Sequence, residues 1–276
     1  MRKKRLFSKA FVAVALIVSL VWLYPIVLIC INSFKNYNDM MQNFLSFPTH
    51  LSFDMYADTW VKFKFPLLMK NTALYTVITV LCVVVIAPMA AYKLARTKTK
   101  YSKLCFLLII MPMMVPFQTY MITLTKLVSS LQINATKFGY IAVSIGLCMP
   151  LAVFMTHGFV KNIPIELEEC ASIDGASRLR TYFGIVFPLL VPIVTTVAVI
   201  DTLAVWNDVL VNMLLVGGKT QHLNLQNALY VNFSTTKSDW EHALPGIIIS
   251  MVPNLLFFVF MQKYIVEGIT AGAVKG

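Results

Sequence analysis

Apolar residues run along this chain in long blocks separated by short polar breaks. A helix needs about 20 apolar residues to cross a bilayer. Six blocks meet that length, near 10–31, 69–93, 104–127, 139–160, 184–206 and 244–266. Gly, Pro or small residues interrupt each block, which membrane helices tolerate because neighbouring helices satisfy the freed backbone groups. In the third block Pro112, Pro116 and Gln118 break the run and predict a kink. Val209–Val216 is apolar but too short to cross, which leaves a re-entrant or an interfacial segment. The pattern predicts an all-α integral membrane protein with six transmembrane helices. Its parts are a basic N-terminus (1–9), a first helix (10–31), an outer loop (32–68), a core (69–266) and a tail (267–276). Gly268, Gly272 and the small residues around them predict that the tail is flexible.

One polar segment, Glu166–Pro188, stands out between two apolar blocks. Glu166, Glu168, Glu169 and Asp174 are four of the chain's 12 acids, and the bilayer penalises such a cluster, so the segment belongs in water. Asn162 and Pro164 predict a helix start, since Pro suits a first turn where its missing N–H is no loss. The three glutamates then sit near the positive end of the helix dipole. Leu167, Cys170, Ala171 and Asp174 follow i, i+3, i+4, i+7 spacing and share one face, small in its middle. Gly175 is placed to end the helix in a left-handed conformation, and Ser177 to cap a second short helix. Composition by itself fits an ordinary solvated loop.

Composition settles the class: 58% of residues are hydrophobic and 13% charged, more apolar surface than a soluble core of this size can bury. The net charge of +11 raises nucleic acid as a partner, but the basic residues flank apolar blocks, as lipid headgroups and topology require. With both termini inside, the inner segments carry 15 Lys/Arg and the outer ones 8, Lys237 among the latter. That bias predicts cytoplasmic termini and a cytoplasmic Glu166–Pro188 segment. Arg2-Lys3-Lys4-Arg5 before a long apolar run reads as a retained first span, since the run is too long for a signal peptide. The five cysteines show no CxxC spacing, and four lie in apolar runs, so they read as small hydrophobes. The outer loop is rich in aromatics, from Phe34 to Phe65, which fits an interfacial belt better than ligand stacking.

Glu169-Cys170-Ala171, then Asp174-Gly175-Ala176, then Ile185 and Pro188 resembles the "EAA" loop of ABC importer permeases. Cys170 and Phe187 stand where that pattern has Ala and Leu. The resemblance implies that segment 162–183 is a cytoplasmic coupling helix between spans four and five, docked on an ATPase subunit through Glu169, Ala171, Asp174 and Gly175. The ending Gly268-Ile269-Thr270-Ala271-Gly272-Ala273-Val274-Lys275-Gly276 is similar to that of maltose-type permeases. Pro116-x-Gln118 with Asn134-x-Thr136, and Trp206-Asn207-Asp208, also resemble the carbohydrate-uptake branch of this type I importer family. Together these resemblances imply a permease subunit of a bacterial cell membrane importer for a sugar or oligosaccharide, working by alternating access. Its implied partners are a second homologous permease, two cytoplasmic ATPase subunits that bind ATP and Mg, an extracytoplasmic solute-binding protein, and the membrane lipid around the spans. No cofactor is expected in this chain.

Asp201, Trp206, Asn207, Asp208 and Gln118 are the candidates for the translocation path. An acid inside a span faces the protein interior, either paired or lining a pathway, and pairing is favoured for Asp201. The Trp206-Asn207-Asp208 triplet fits a sugar passage and, equally, an interfacial anchor with a helix cap. Gly218-Lys219-Thr220 imitates the end of a P-loop, but Met213 stands where its first Gly belongs and no strand precedes it. A stand-alone secondary carrier is disfavoured by the few ionisable residues in the spans and the lack of an inverted repeat. An ABC permease for a polyol or glycerol phosphate is the nearer alternative. No metal-spaced cluster or nucleophile supports an enzyme, His157 being a lone residue near a span end.

Overall fold

A computed structural model describes residues 2–48, 50–234 and 239–273 of the chain. Every regular element among the described residues is helical. Five helical stretches are long and apolar enough to cross a membrane: Phe11–Asn32, Phe65–Arg96, Lys137–Lys161, Arg178–Trp206 and Trp240–Lys263. The third expected span is not one straight helix. Lys100–Met114 and Phe117–Ser130 meet at 109°, and only together do they make a sixth span. The break falls where Pro112 and Pro116 remove backbone donors, the usual cause of so sharp a bend.

The chain divides into two compact units, residues 1–66 with 229–253 and residues 67–228 with 254–276. In the first, helix α1 (Arg2–Asn32) exposes its apolar surface all round from Phe11 to Val27, as a lipid-facing helix would. Two short helices follow, α2 (Tyr37–Gln42) and α3 (Asp54–Lys62). Some of the aromatics expected as a membrane belt pack on one another here. Phe34, Phe53 and Tyr56 pack at 5.2–5.9 Å between centroids, and Trp60 stacks on the fully buried Phe65. Asn32 fastens the loop to the end of α1 by donating to the Phe44 carbonyl at 2.8 Å. Lys62 and His242 both hold Asp239, at 2.8 and 2.6 Å. Burial pushes the Asp239 carboxyl up, but hydrogen bonds from His242 and Lys62 outweigh it and keep the group below its ordinary range.

The second unit is built on α4 (Phe65–Arg96), α5 (Lys100–Ile110), α6 (Phe117–Ser130), α7 (Lys137–Lys161) and α10 (Phe187–Trp206). Helices α7 and α10 pack along each other, α5 packs on α7, and Ala87, Ala91, Ala152 and Val153 are fully buried. Small side chains at such positions let membrane helices approach closely. Two short helices, α8 (Glu166–Ile173) and α9 (Arg178–Thr181), fill the α7–α10 connection, and a π-helical turn, Tyr182–Val186, feeds into α10. Past α10 come α11 (Leu210–Val216) and α12 (Leu225–Ser234). The last helix, α13, runs Trp240–Ala273. The expected flexible tail from 267 is therefore helical as far as Ala273, and residues 274–276 lie outside those described, as does Lys237. A helical Gly costs only about 1 kcal/mol, so Gly268 and Gly272 do not stop a helix already running.

Thr136 starts α7. Its hydroxyl accepts from Gly139 N–H at 3.0 Å and donates to the Ile133 carbonyl at 2.6 Å. The loop folds back so tightly that a Cβ on Gly139 would lie 2.0 Å from the Ile133 oxygen. Gly139→Ala is expected to cost about 1–3 kcal/mol, as overpacking does. It should lower the melting temperature of the detergent-solubilised protein; an unchanged Tm would contradict this packing.

Candidate functional site

The α7–α10 connection is shaped by local signals. Helix α7 stops at Lys161, and Asn162 caps that end instead of starting the next helix. Pro164 follows, and the Ile165 carbonyl takes the N–H groups of Glu168 and Glu169 to open α8. At the other end Ala176 N–H bonds the Ala171 carbonyl (2.9 Å) and Gly175 N–H the Ser172 carbonyl (3.1 Å). This pair of bonds is the Schellman arrangement, and it requires the left-handed backbone that Gly175 supplies at φ +79°. Ser177 then caps α9, its hydroxyl accepting from Arg180 N–H at 3.4 Å. Both turn expectations from the sequence hold.

What fixes α8 to the bundle is Glu168. Its carboxylate accepts from the Tyr92 hydroxyl at 2.6 Å and from Arg96 Nε at 2.7 Å. The same guanidinium donates to the Ile163 carbonyl at 2.8 Å, so one side chain of α4 grips both the helix and the strap leading into it. The two charged side chains are only 13% and 17% exposed, which makes this a shielded, hydrogen-bonded pair. Below it, Val160, Ile163, Tyr182, Val186, Leu190 and Ile193 form a buried apolar cluster under the connection.

The outward face of α8 differs from the expected one. Ala171 turns inward beside Glu168 and is 6% exposed, whereas Leu167, Cys170 and Asp174 stay at the surface. Spacing puts the four near one another but does not say which edge of that face meets the bundle. Glu169, Asp174 and Gly175 are exposed, and Ile173 (84%) and Leu179 (65%) project beside them. This is an apolar and acidic surface on a loop outside the spans.

The translocation-path candidates are dispersed by role. Asp201 faces the interior at 2% exposure, bonded to the Cys148 thiol, with Oδ2 unpartnered and no cation paired to it among the described residues. Trp206 also keeps a buried Nε1 without a partner, and Asn207 accepts from Asn254 Nδ2 at 2.8 Å. Asp208 is a helix cap: it accepts from Val211 N–H (3.0 Å), Asn212 N–H (2.9 Å) and the Tyr140 hydroxyl (2.9 Å). Burial pushes its carboxyl up, and those three donors pull against the shift. Gln118 is exposed at the start of α6, just past the break.

Asp208 belongs to a polar lattice that sequence reasoning missed. Asn224 donates to the Asp208 carbonyl at 2.6 Å, and Asn227 to Asn212 Oδ1 at 2.9 Å. Asn71 takes Lys137 on its oxygen (2.7 Å) and donates to the carbonyls of Gln221 and Leu223 (3.0 and 2.9 Å). The signal available was Asn212, Asn224 and Asn227 recurring where an apolar segment needed no amides. No group of three or more potential metal ligands occurs among the described residues.

Arg96→Ala removes the grip on α8 and strands a shielded carboxylate, at a cost of about 3 kcal/mol. Amide exchange across residues 163–173 should accelerate by about a hundredfold in that variant. Arg96→Ala combined with Glu168→Gln should recover part of the protection; unchanged exchange in the single variant would refute the anchor.

Residues 83–269 match the family model described as "binding-protein-dependent transport system inner membrane component". A probable starch degradation products transport system permease protein, AmyC, from Thermoanaerobacterium thermosulfurigenes is 33% identical over 275 residues, covering 100% of both chains. The melibiose/raffinose/stachyose import permease MelC of Bacillus subtilis (strain 168) is 33% identical over 95% of both. The fold is similar to a chain of a bacterial ABC transporter involved in import of the acidic polysaccharide alginate. The TM-score is 0.79 at 22% identity, with 96% of this chain and 98% of that one covered. Family match, full-length relatives and apolar helices agree: the chain belongs to the inner membrane components of binding-protein-dependent transport systems, and it is a multi-pass permease subunit of the ABC type.

Proposed function

We propose that the chain forms half of the membrane pathway of an importer for an oligosaccharide, driven by ATPase subunits that dock on α8. The observation that carries the coupling role is the geometry of α8: anchored from beneath by Arg96 and Tyr92, exposed above through Glu169, Asp174, Gly175 and Ile173. A helix so held passes a push on its outer face to α4 through a charged pair and to α10 through the π turn. Motion of the ATPase dimer would then rotate helices as bodies and open the cavity alternately to each side. The free energy for this comes from α8 binding the ATPase differently in its two states, since equal affinity would shift nothing. ATP and Mg belong to those partners. The Lys/Arg bias puts α8 and both termini in the cytoplasm.

Support for an oligosaccharide comes from the relatives, whose names concern starch degradation products and melibiose, raffinose and stachyose. A solute-binding protein fits the family description and the solved alginate transporter bound to its periplasmic protein. Within this chain Asp201 and Trp206, with unpartnered polar atoms, suit a path-lining role better than Asp208, whose carboxylate already accepts three hydrogen bonds.

Purification in mild detergent should recover an ATPase and a second permease with this chain. Gly175→Val should abolish both ATPase recovery and uptake while the chain stays in the membrane. Nothing lies within 4 Å of a Cβ at Gly175, so only its left-handed backbone is at stake within the chain. Gly175→Asn, which tolerates that backbone, should therefore keep more coupling than Val. Recovery of the wild-type chain without any ATPase would contradict the proposal. Labelled oligosaccharides should enter and compete with one another, and glycerol phosphate should not compete.

A further inference from the structure

Beside the α8 anchor lies a cavity of about 790 Å³ that the transport account does not use. It opens where three helix ends meet: the last turn of α4, the first turn of α5 and the last turn of α7. Its rim carries Lys98, Lys103 and Lys161, all exposed, and none of their side chains makes an ion pair or a hydrogen bond among the described residues. Glu166 is the one carboxylate in its lining, and Arg96, already bound to Glu168, forms part of the wall. Three lysines and one opposing acid line the cavity, an excess of positive charge that a bound anion would neutralise. The first turn of α5, capped by Thr99, supplies Ser102 and Lys103 to the same lining.

Farther along α5 the character of the lining changes. Phe106 stacks on His157 at 3.9 Å, and the exposed Leu107 continues the apolar lining toward the span. Cations at the mouth and hydrocarbon farther along, at the level where membrane helices end, match an amphiphile with a charged head. A free anion would satisfy the rim and leave the apolar lining unused.

We propose that this cavity binds the phosphate head of an anionic phospholipid, with Lys98, Lys103 and Lys161 on the phosphate and Phe106 against the start of an acyl chain. The site rests on the membrane reading of the chain and not on ATPase docking, so the two can fail separately. Because Arg96 lines the wall, a lipid there also braces the α8 anchor.

The test is native mass spectrometry of the full chain with the subunits that accompany it, released from nanodiscs of equal phosphatidylglycerol and phosphatidylcholine. The wild type should retain phosphatidylglycerol in preference to phosphatidylcholine. Each Lys→Gln change should weaken that preference about fivefold, in keeping with the attraction of a single basic residue to an anionic surface. K98Q/K103Q/K161Q should abolish it at unchanged Tm. Excess inorganic phosphate should not displace the lipid; displacement would assign the site to a small soluble anion and overturn the proposal. Equal retention of both lipids, or enrichment surviving in the triple variant, would also overturn it.

Discussion

The contact between Arg96 and Glu168 joins two segments that the chain separates by 72 residues, and the function assigned to α8 depends on it. A short helix of eight residues has no stability of its own in water, because nucleation is costly and few bonds repay it. It persists here because Tyr92 and Arg96 hold its one inward carboxylate and Ala171 packs beside them. Arg suits this place better than Lys: one planar fork reaches both a carboxylate and the Ile163 carbonyl. Without that contact the proposed coupling through α8 would lose its anchor on α4.

The opposite demand is met by the lattice of Asn71, Asp208, Asn212, Asn224 and Asn227. Here irregular backbone sits among buried residues: the side chains of Asn71, Asp208, Asn212 and Asn224 take up backbone groups, and Asn227 ties onto Asn212. Non-helical chain beside a membrane survives only on those terms. The unit thus has a rigid polar end, a bent α5–α6 pair and an anchored connecting loop, joined by α4, α7 and α10. Such an arrangement suits the proposed coupling, in which a displacement at α8 would arrive elsewhere as rotation of bodies instead of local bending.

Span number and position were legible in the sequence because block length is a direct physical requirement of the bilayer. The Gly175 turn and the Ser177 cap were legible too, since each depends on one residue and its immediate neighbours. The 109° break at Pro112–Pro116 was visible as a break but not as an angle. Illegible were the partners of Glu168, because no local pattern links position 168 to positions 92 and 96. The inward turn of Ala171 was hidden for a related reason: periodicity defines a face but not what that face meets. Asp208 read equally as path or cap; it takes the local N–H groups of Val211 and Asn212, and the further donor, Tyr140, lies 68 residues away, where no local pattern points. Helix α13 outran its expected end because glycine weakens a helix without stopping it.

If the ATPase sits on the exposed face of α8, a photoreactive amino acid at Ile173, the most exposed apolar residue of that helix, reports it in native membranes without disturbing the anchor. The expected result is a cross-link to an ATPase subunit that changes in yield when ATP is trapped, and none from the same probe at Leu131, exposed past the end of α6. An ATPase cross-link from Leu131 and none from Ile173 would contradict it.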